Sequence, residues 1–147
     1  MDGLPSAVLF ACTMNAIRSP MAAGILRRLH GTRVFVDSVG VRRGEVDGFA
    51  IQVMDEIGID ISGHRPRIFE ELEDDSFDLV ISLSPEAQHK AVEMTRTMAC
   101  DVEFWHTFDP SVVEGSREMR LDAYRSVRDE LVRRIEDRFP VTRMPRL

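Results

Sequence analysis

Read for the alternation of apolar and polar positions, the chain divides into short apolar runs of strand length and stretches where apolar residues recur every three or four positions. Ala7 to Ala11 is a continuous apolar run, the pattern of a strand covered on both faces of a parallel sheet. Ala22, Ile25, Leu26 and Leu29 then follow helical spacing, with Arg27, Arg28 and His30 near the end where cations suit the helix dipole, and Gly31 as the stop. Val34 to Val36 predicts a short second strand leading into Asp37-Ser38-Val39-Gly40. Phe49, Ala50, Val53, Met54 and Ile57 predict a helix closed by Gly58, and 58–67 reads as a polar connection. Glu70, Glu71, Glu73, Asp74 and Asp75 form an acidic run of the kind found on the solvated face of a short helix. Phe77 to Leu83 predicts a third strand, Ser84-Pro85 a helix start, and 85–95 the helix, with Ala87, Ala91 and Met94 on its inner side. Val102 to Trp105 predicts a fourth, shorter strand. From Ser116, Leu121, Tyr124, Val127, Leu131 and Ile135 trace one face of a long amphipathic helix. Strands alternating with helices imply βαβ units, hence an α/β fold of three layers: an open, four-stranded parallel sheet with helices on both faces.

Length and composition narrow this further. A chain of 147 residues has the size of one domain with one substantial core, so a single domain over 1–147 is expected. The net charge of −6 and the lack of a basic stripe argue against a nucleic-acid partner. The start, Met1-Asp2-Gly3-Leu4-Pro5, has no signal-peptide pattern, and no apolar run approaches the span of a bilayer, so a cytoplasmic protein with no membrane partner is expected. Cys12 and Cys100 are the only cysteines; they build neither a disulfide framework nor a paired zinc spacing, and no metal or cofactor is called for.

One stretch carries chemistry. The first strand ends at Cys12, five residues follow, and then come Arg18, Ser19 and Pro20 at the start of a helical pattern. Five residues suffice for one tight loop, in which successive backbone N–H groups converge on an anion. Ser19 is a good N-cap residue and Pro20 suits the first helical position, so the loop is expected to end where a helix presents unpaired N–H groups. A cysteine in that field is favoured as the thiolate, the nucleophilic form. Arg18 can hold two oxygens of a tetrahedral oxyanion side by side. Ligands of open parallel sheets bind beyond the carboxyl ends of the strands, and Asp109-Pro110, just past the fourth strand, lies at that same edge. A carboxylic acid there is suited to protonating a leaving group.

Cys12 to Pro20 resembles the phosphate-binding loop of the low-molecular-weight protein tyrosine phosphatases and of the thioredoxin-coupled arsenate reductases that share their fold, including its placement after the first strand. The resemblance implies a loop of Thr13, Met14, Asn15, Ala16, Ile17, Arg18 and Ser19, with Cys12 as nucleophile, Arg18 as the clamp on the phosphoryl oxygens and Asp109 as general acid and base. It implies that Asn15 braces the loop, that Ser19 supports the leaving thiolate, and that Ser38 and His64 are partners of Asn15. Met14 stands where the family carries glycine, a residue that reaches positive φ freely. Ile17 stands where many phosphatases carry a second cysteine, and Ser111-Val112-Val113 replaces the aromatic residues that commonly follow Asp-Pro. Glu114-Gly115-Ser116 and Arg128-Asp129-Glu130 look closer to the arsenate reductases.

Three functions follow as expectations. The first is a metal-independent phosphomonoesterase working through a cysteinyl-phosphate, acting on a phosphorylated protein or a small phosphomonoester and accepting phosphate, sulfate or arsenate-like oxyanions. The second is an arsenate reductase, whose relay of oxidation needs further thiols where only Cys100 is available. The third is a catalytically weak module that binds an oxyanion or a partner.

Overall fold

The computed structural model describes residues 3–73 and 76–141. Four parallel strands, β1 (Ala7–Cys12), β2 (Phe35–Gly40), β3 (Leu79–Ser82) and β4 (Asp101–Phe104), form one sheet in the order β2-β1-β3-β4. Helices α1 (Arg18–His30), α2 (Gly48–Asp55), α3 (Pro85–Met94) and α4 (Arg117–Arg138) cover it. Alternation along β1 divides the core into two layers. Val8, Phe10 and Cys12 pack with α1, α2 and α4, whereas Leu9 and Ala11 pack with Ala87 and Ala91 of α3. The fold is therefore a three-layer α/β sandwich with the central strand buried on both sides.

The long helix matches its pattern: Leu121, Tyr124, Val127, Leu131 and Ile135 are all buried, each worth about 1.5–3 kcal/mol relative to exposure. Its start is capped by Ser116, whose hydroxyl accepts from the Met119 amide at 3.2 Å. Ser84 caps α3 in the same way, with Pro85 in the first turn.

Elsewhere the structure departs from the pattern. β2 does not stop at Val36 but continues to Gly40, because Asp37 to Gly40 pair in register with Leu9 to Cys12. β3 is shorter than 77–83: Asp78 turns its carboxylate onto the amides of Ser6 and Ala7 at 2.7 and 2.6 Å instead of extending the strand. α2 ends at Asp55, and Ile57 falls in the following turn, which Gly58 closes at φ +77. The acidic run is a three-residue 3-10 turn, Phe69–Glu71, rather than a helix; Glu70 pairs with Lys90 and Glu71 with Arg43, while Asp74 and Asp75 lie outside the described residues. Ser19 is not an N-cap. The cap position of α1 is Ile17, which has no capping side chain, because the Ser19 hydroxyl is engaged inside the loop.

Strand register also places the two thiols. Cys12 is level with Trp105, five residues beyond Cys100 and two strands away. At ~3.3 Å per residue and ~4.8 Å per strand the separation is about 19 Å, against the roughly 7 Å limit between Cα atoms that a disulfide can bridge. Among the described residues no helix is long and apolar enough to cross a membrane, and no group of three His, Cys, Asp or Glu side chains could hold a metal ion.

Candidate active site

The loop from Thr13 to Ile17 takes its shape from where its carbonyls go. Those of Cys12, Thr13, Met14 and Ala16 accept from the amides of Val41, Arg42, Gly44 and Asp47 at 3.2, 2.8, 2.9 and 3.3 Å. The carbonyl of Asn15 lies 3.0 Å from His64 Nε2. Among the described residues there is no cis peptide, so each loop N–H points opposite to the carbonyl of the residue before it. Carbonyls tied outward therefore turn the amides of residues 13–17 inward. Among the described residues no protein acceptor meets them. Together with the N-terminus of α1 they make a cup for an anion.

Asn15 holds the cup. It is fully buried and is the one non-glycine among the described residues with positive φ, at 54°. The left-handed backbone falls on Asn15, a residue that tolerates it, and not on Met14. Its Nδ2 donates to Ser19 Oγ at 2.9 Å and Ser38 Oγ at 3.0 Å, and its Oδ1 accepts from the Arg67 amide at 2.8 Å and from His64 Nε2 at 3.1 Å. Both oxygens facing His64 are acceptors only, so the ring carries its proton on Nε2. Burial, helped by the charges of Arg27 and Arg67 and opposed by the bond to the Asn15 backbone, pushes the His64 pKa down and so favours the neutral ring. Gly40 is required where the strand end passes the loop: a Cβ there would sit 2.7 Å from the backbone N of Asn15.

The sulfur and the cation are both fixed. Cys12 is buried, and its Sγ lies 2.9 Å from Ser19 Oγ, which also lies 3.4 Å from the Val39 carbonyl. With the sulfur ionised the hydroxyl donates to it, a charge-assisted bond that stabilises the anion. Arg18, 8% exposed, donates from Nη1 to the Thr107 carbonyl at 3.0 Å, which fixes its guanidinium beside the loop. Thr13 Oγ1 donates to Ser84 Oγ at 3.0 Å and ties the cup to the start of α3.

Cys12, Arg18 and Asp109 border one cavity of about 220 Å³, whose rim includes Met14, Glu45, Asp47 and Ser111. Asp109 Oδ1 accepts from the Ser111 amide at 3.0 Å and the Ser111 hydroxyl at 2.7 Å, which orients the carboxyl and leaves Oδ2 without a protein partner among the described residues. A larger cavity of about 600 Å³ lies on the other side of His64 and contains neither a thiol nor the loop amides. The structure thus brings together Cys12, Asn15, Arg18, Ser19, Ser38, His64 and Asp109, and keeps Cys100 apart. Ser111, noted in the sequence only as a departure after Asp-Pro, holds the Asp109 carboxyl, while Asp47 and the backbone of 41–47 enter the site without having been singled out. For Asp47 the available signal was its place before the second helix: its Oδ1 accepts from Phe49 N and Ala50 N, as an N-cap aspartate does.

The chain resembles known proteins in sequence and in fold. The profile of the low molecular weight phosphotyrosine protein phosphatases matches residues 7–140. The chain is 33% identical over 130 residues to the glutaredoxin arsenate reductase of Synechocystis sp., covering 88% of this chain and 93% of that one. Its structure is similar to that of an arsenate reductase in a phosphate-binding state, with a TM-score of 0.71, 30% identity, and 91% and 96% of the two chains covered. It is also similar to the arginine phosphatase YwlE with a phosphorylated active-site serine, with a TM-score of 0.68, 27% identity, and 86% and 89% covered. The chain belongs to the low molecular weight phosphotyrosine protein phosphatase family.

Proposed function

We propose that this protein is a cysteine-dependent phosphomonoesterase working in the reducing cytoplasm on a phosphorylated protein or small phosphomonoester. The observation that supports this most is the shared cavity of Cys12, Arg18 and Asp109, contributed by two segments far apart in sequence. The Cys12 thiolate attacks phosphorus, forming an S–P bond as the P–O bond to the leaving group breaks. The leaving oxygen takes its proton from Asp109. Water then attacks the cysteinyl-phosphate, giving its proton to Asp109; the S–P bond breaks and the thiolate departs onto the Ser19 hydroxyl. Arg18 and the inward amides hold the equatorial oxygens, whose charge grows in each transition state.

The names of similar proteins favour a second reading, an arsenate reductase. Reduction of arsenate consumes two electrons from thiols, and Cys100, about 19 Å from Cys12 by strand spacing, is out of reach of an internal relay. Any such activity would draw its second thiol from another molecule.

Turnover of para-nitrophenyl phosphate by the purified chain, its Cys12→Ser variant and its Asp109→Asn variant tests the proposal. The expected results are activity without added metal, loss of that activity on Cys12→Ser, and a fall in kcat of about 10²- to 10⁴-fold on Asp109→Asn. Hydrolysis that survives Cys12→Ser overturns it, as does arsenate reduction with glutaredoxin or thioredoxin in the absence of phosphatase activity.

A further inference from the structure

A second cavity, about 450 Å³ in volume, adjoins the catalytic one and shares Asp47 with it; Phe49, Gln52, Arg117 and Arg120 also border it. Both guanidinium groups rest on the Phe49 ring, with Cζ 5.4 Å from its centroid for Arg117 and 4.7 Å for Arg120. Arg117 Nη2 donates to Gln52 Oε1 at 2.8 Å, a neutral acceptor that fixes the side chain without cancelling its charge. Further along α4, Arg125, Arg128, Arg134 and Arg138 are each matched to carboxylates. Arg117 and Arg120 are matched to none among the described residues. Asp47, the acid they share space with, is held by neutral donors: its carboxylate accepts from Phe49 N, Ala50 N and the Tyr124 hydroxyl, so it keeps its own charge at the shared wall and is ion-paired to neither arginine. The two arginines are thus pre-positioned at this one cavity with no carboxylate bound to either, in a protein of net charge −6.

Resting on the phosphatase reading above, we propose that this second cavity is a substrate subsite that recognises carboxylate side chains flanking the phosphorylated residue, and hence that the preferred substrate is an acidic phosphopeptide segment of a protein. The fork of a guanidinium matches a carboxylate, and stacking on Phe49 has already removed much of the side-chain freedom that binding would otherwise cost. The shared wall at Asp47 lets an extended chain place its phosphate on the loop amides while a neighbouring residue reaches Arg117 or Arg120.

The test compares two phosphotyrosyl peptides, identical except for glutamate or glutamine at the two positions on either side of the phosphorylated residue. Their affinities for the Cys12→Ser variant are measured by calorimetry at low salt. The glutamate peptide is expected to bind about fivefold more tightly, the scale of two exposed ion pairs. That preference should vanish in 0.5 M salt and on adding Arg117→Gln and Arg120→Gln, with affinity for the glutamine peptide unchanged. Equal affinities, a preference that survives the two substitutions, or failure of both peptides to bind overturns the subsite. Para-nitrophenyl phosphate, too small to reach the second cavity, separates the two claims: absence of turnover by the unsubstituted chain sinks the phosphatase reading, whereas turnover without a peptide preference sinks the subsite alone.

Discussion

Replacing Asn15 by alanine should damage this protein more than any other single truncation in the loop. The substitution removes the acceptor of the Arg67 amide and the donor to Ser38 Oγ, for which no other partner is seen among the described residues. His64 keeps the Asn15 carbonyl and Ser19 keeps the sulfur, so those two losses are partial. The buried Ser38 hydroxyl left without its donor costs about 1–3 kcal/mol, and the part-buried Arg67 amide about 1 kcal/mol. Holding alanine at the φ of 54° found at this position costs about 1 kcal/mol more. The expected loss is about 3–5 kcal/mol, or a fall in Tm of roughly 8–15 °C for a domain of this size. Asn15→Gly relieves only the backbone term and should recover about 1 kcal/mol of it. Thermal unfolding followed by circular dichroism, with and without phosphate, reads both effects, since a ligand that binds only the folded cup raises Tm in proportion to its occupancy. Unfolding of Asn15→Ala within about 2 °C of the parent, with the phosphate-induced rise intact, would refute the assignment of Asn15 as the brace; a range that small corresponds to less than one lost hydrogen bond.

Other outcomes follow from the same contacts. Gly40→Ala puts a Cβ 2.7 Å from the backbone of both Asn15 and Arg42, so phosphate affinity measured by calorimetry should fall by about tenfold or more, as overpacking against backbone costs about 1–3 kcal/mol. Ser19→Ala removes the hydroxyl 2.9 Å from the Cys12 sulfur and, under the proposed mechanism, should lower kcat about 10- to 100-fold, with the cysteinyl-phosphate accumulating in a rapid-quench burst. His64 has its pKa below the ordinary 6.5, mainly through burial. The unfolded chain therefore binds more protons in the window between the folded value and 6.5, and the stability from a neutral His64 is full above that window and lost as pH falls through it. Tm measured from pH 7 to pH 5 should drop more steeply in the parent than in His64→Gln. Cys100→Ser should leave phosphatase turnover within about twofold, since the half-buried thiol packs on the α3 side of the core about 19 Å from Cys12 by strand spacing.

The elements that could be read from the sequence are those whose apolar spacing serves one packing surface. The α4 face of Leu121, Tyr124, Val127, Leu131 and Ile135 is buried as patterned, and β1 is continuous through its apolar run. Where backbone does the work, the sequence is silent. Asp37, Ser38 and Gly40 break the apolar run, yet they are strand residues because the ladder to Leu9–Cys12 pairs main-chain groups and not side chains. The segment from Val41 to Asp47 shapes the loop through its amides, with no residue type that marks it. Ser19 has the right identity for a cap, but competition for its hydroxyl comes from Cys12 and Asn15, which adjoin it only once the loop has closed. The resemblance to a glycine-bearing loop points to Met14 for left-handed backbone; the turn instead falls one residue later, on the residue with four side-chain hydrogen bonds to hold it.

Because the carbonyls of residues 12–16 are held by the 41–47 segment and His64, the shape of the main-chain cup does not depend on the side chains at 14, 16 and 17, unlike the Asn15 brace and the Arg18 guanidinium. Positions 14, 16 and 17 can therefore drift without loss of the oxyanion, and all three face the same cavity as the nucleophile. Under the proposed reaction, the grip on phosphate is separate from an adjustable mouth, so the identity of the departing group would change by substitutions that never touch Cys12.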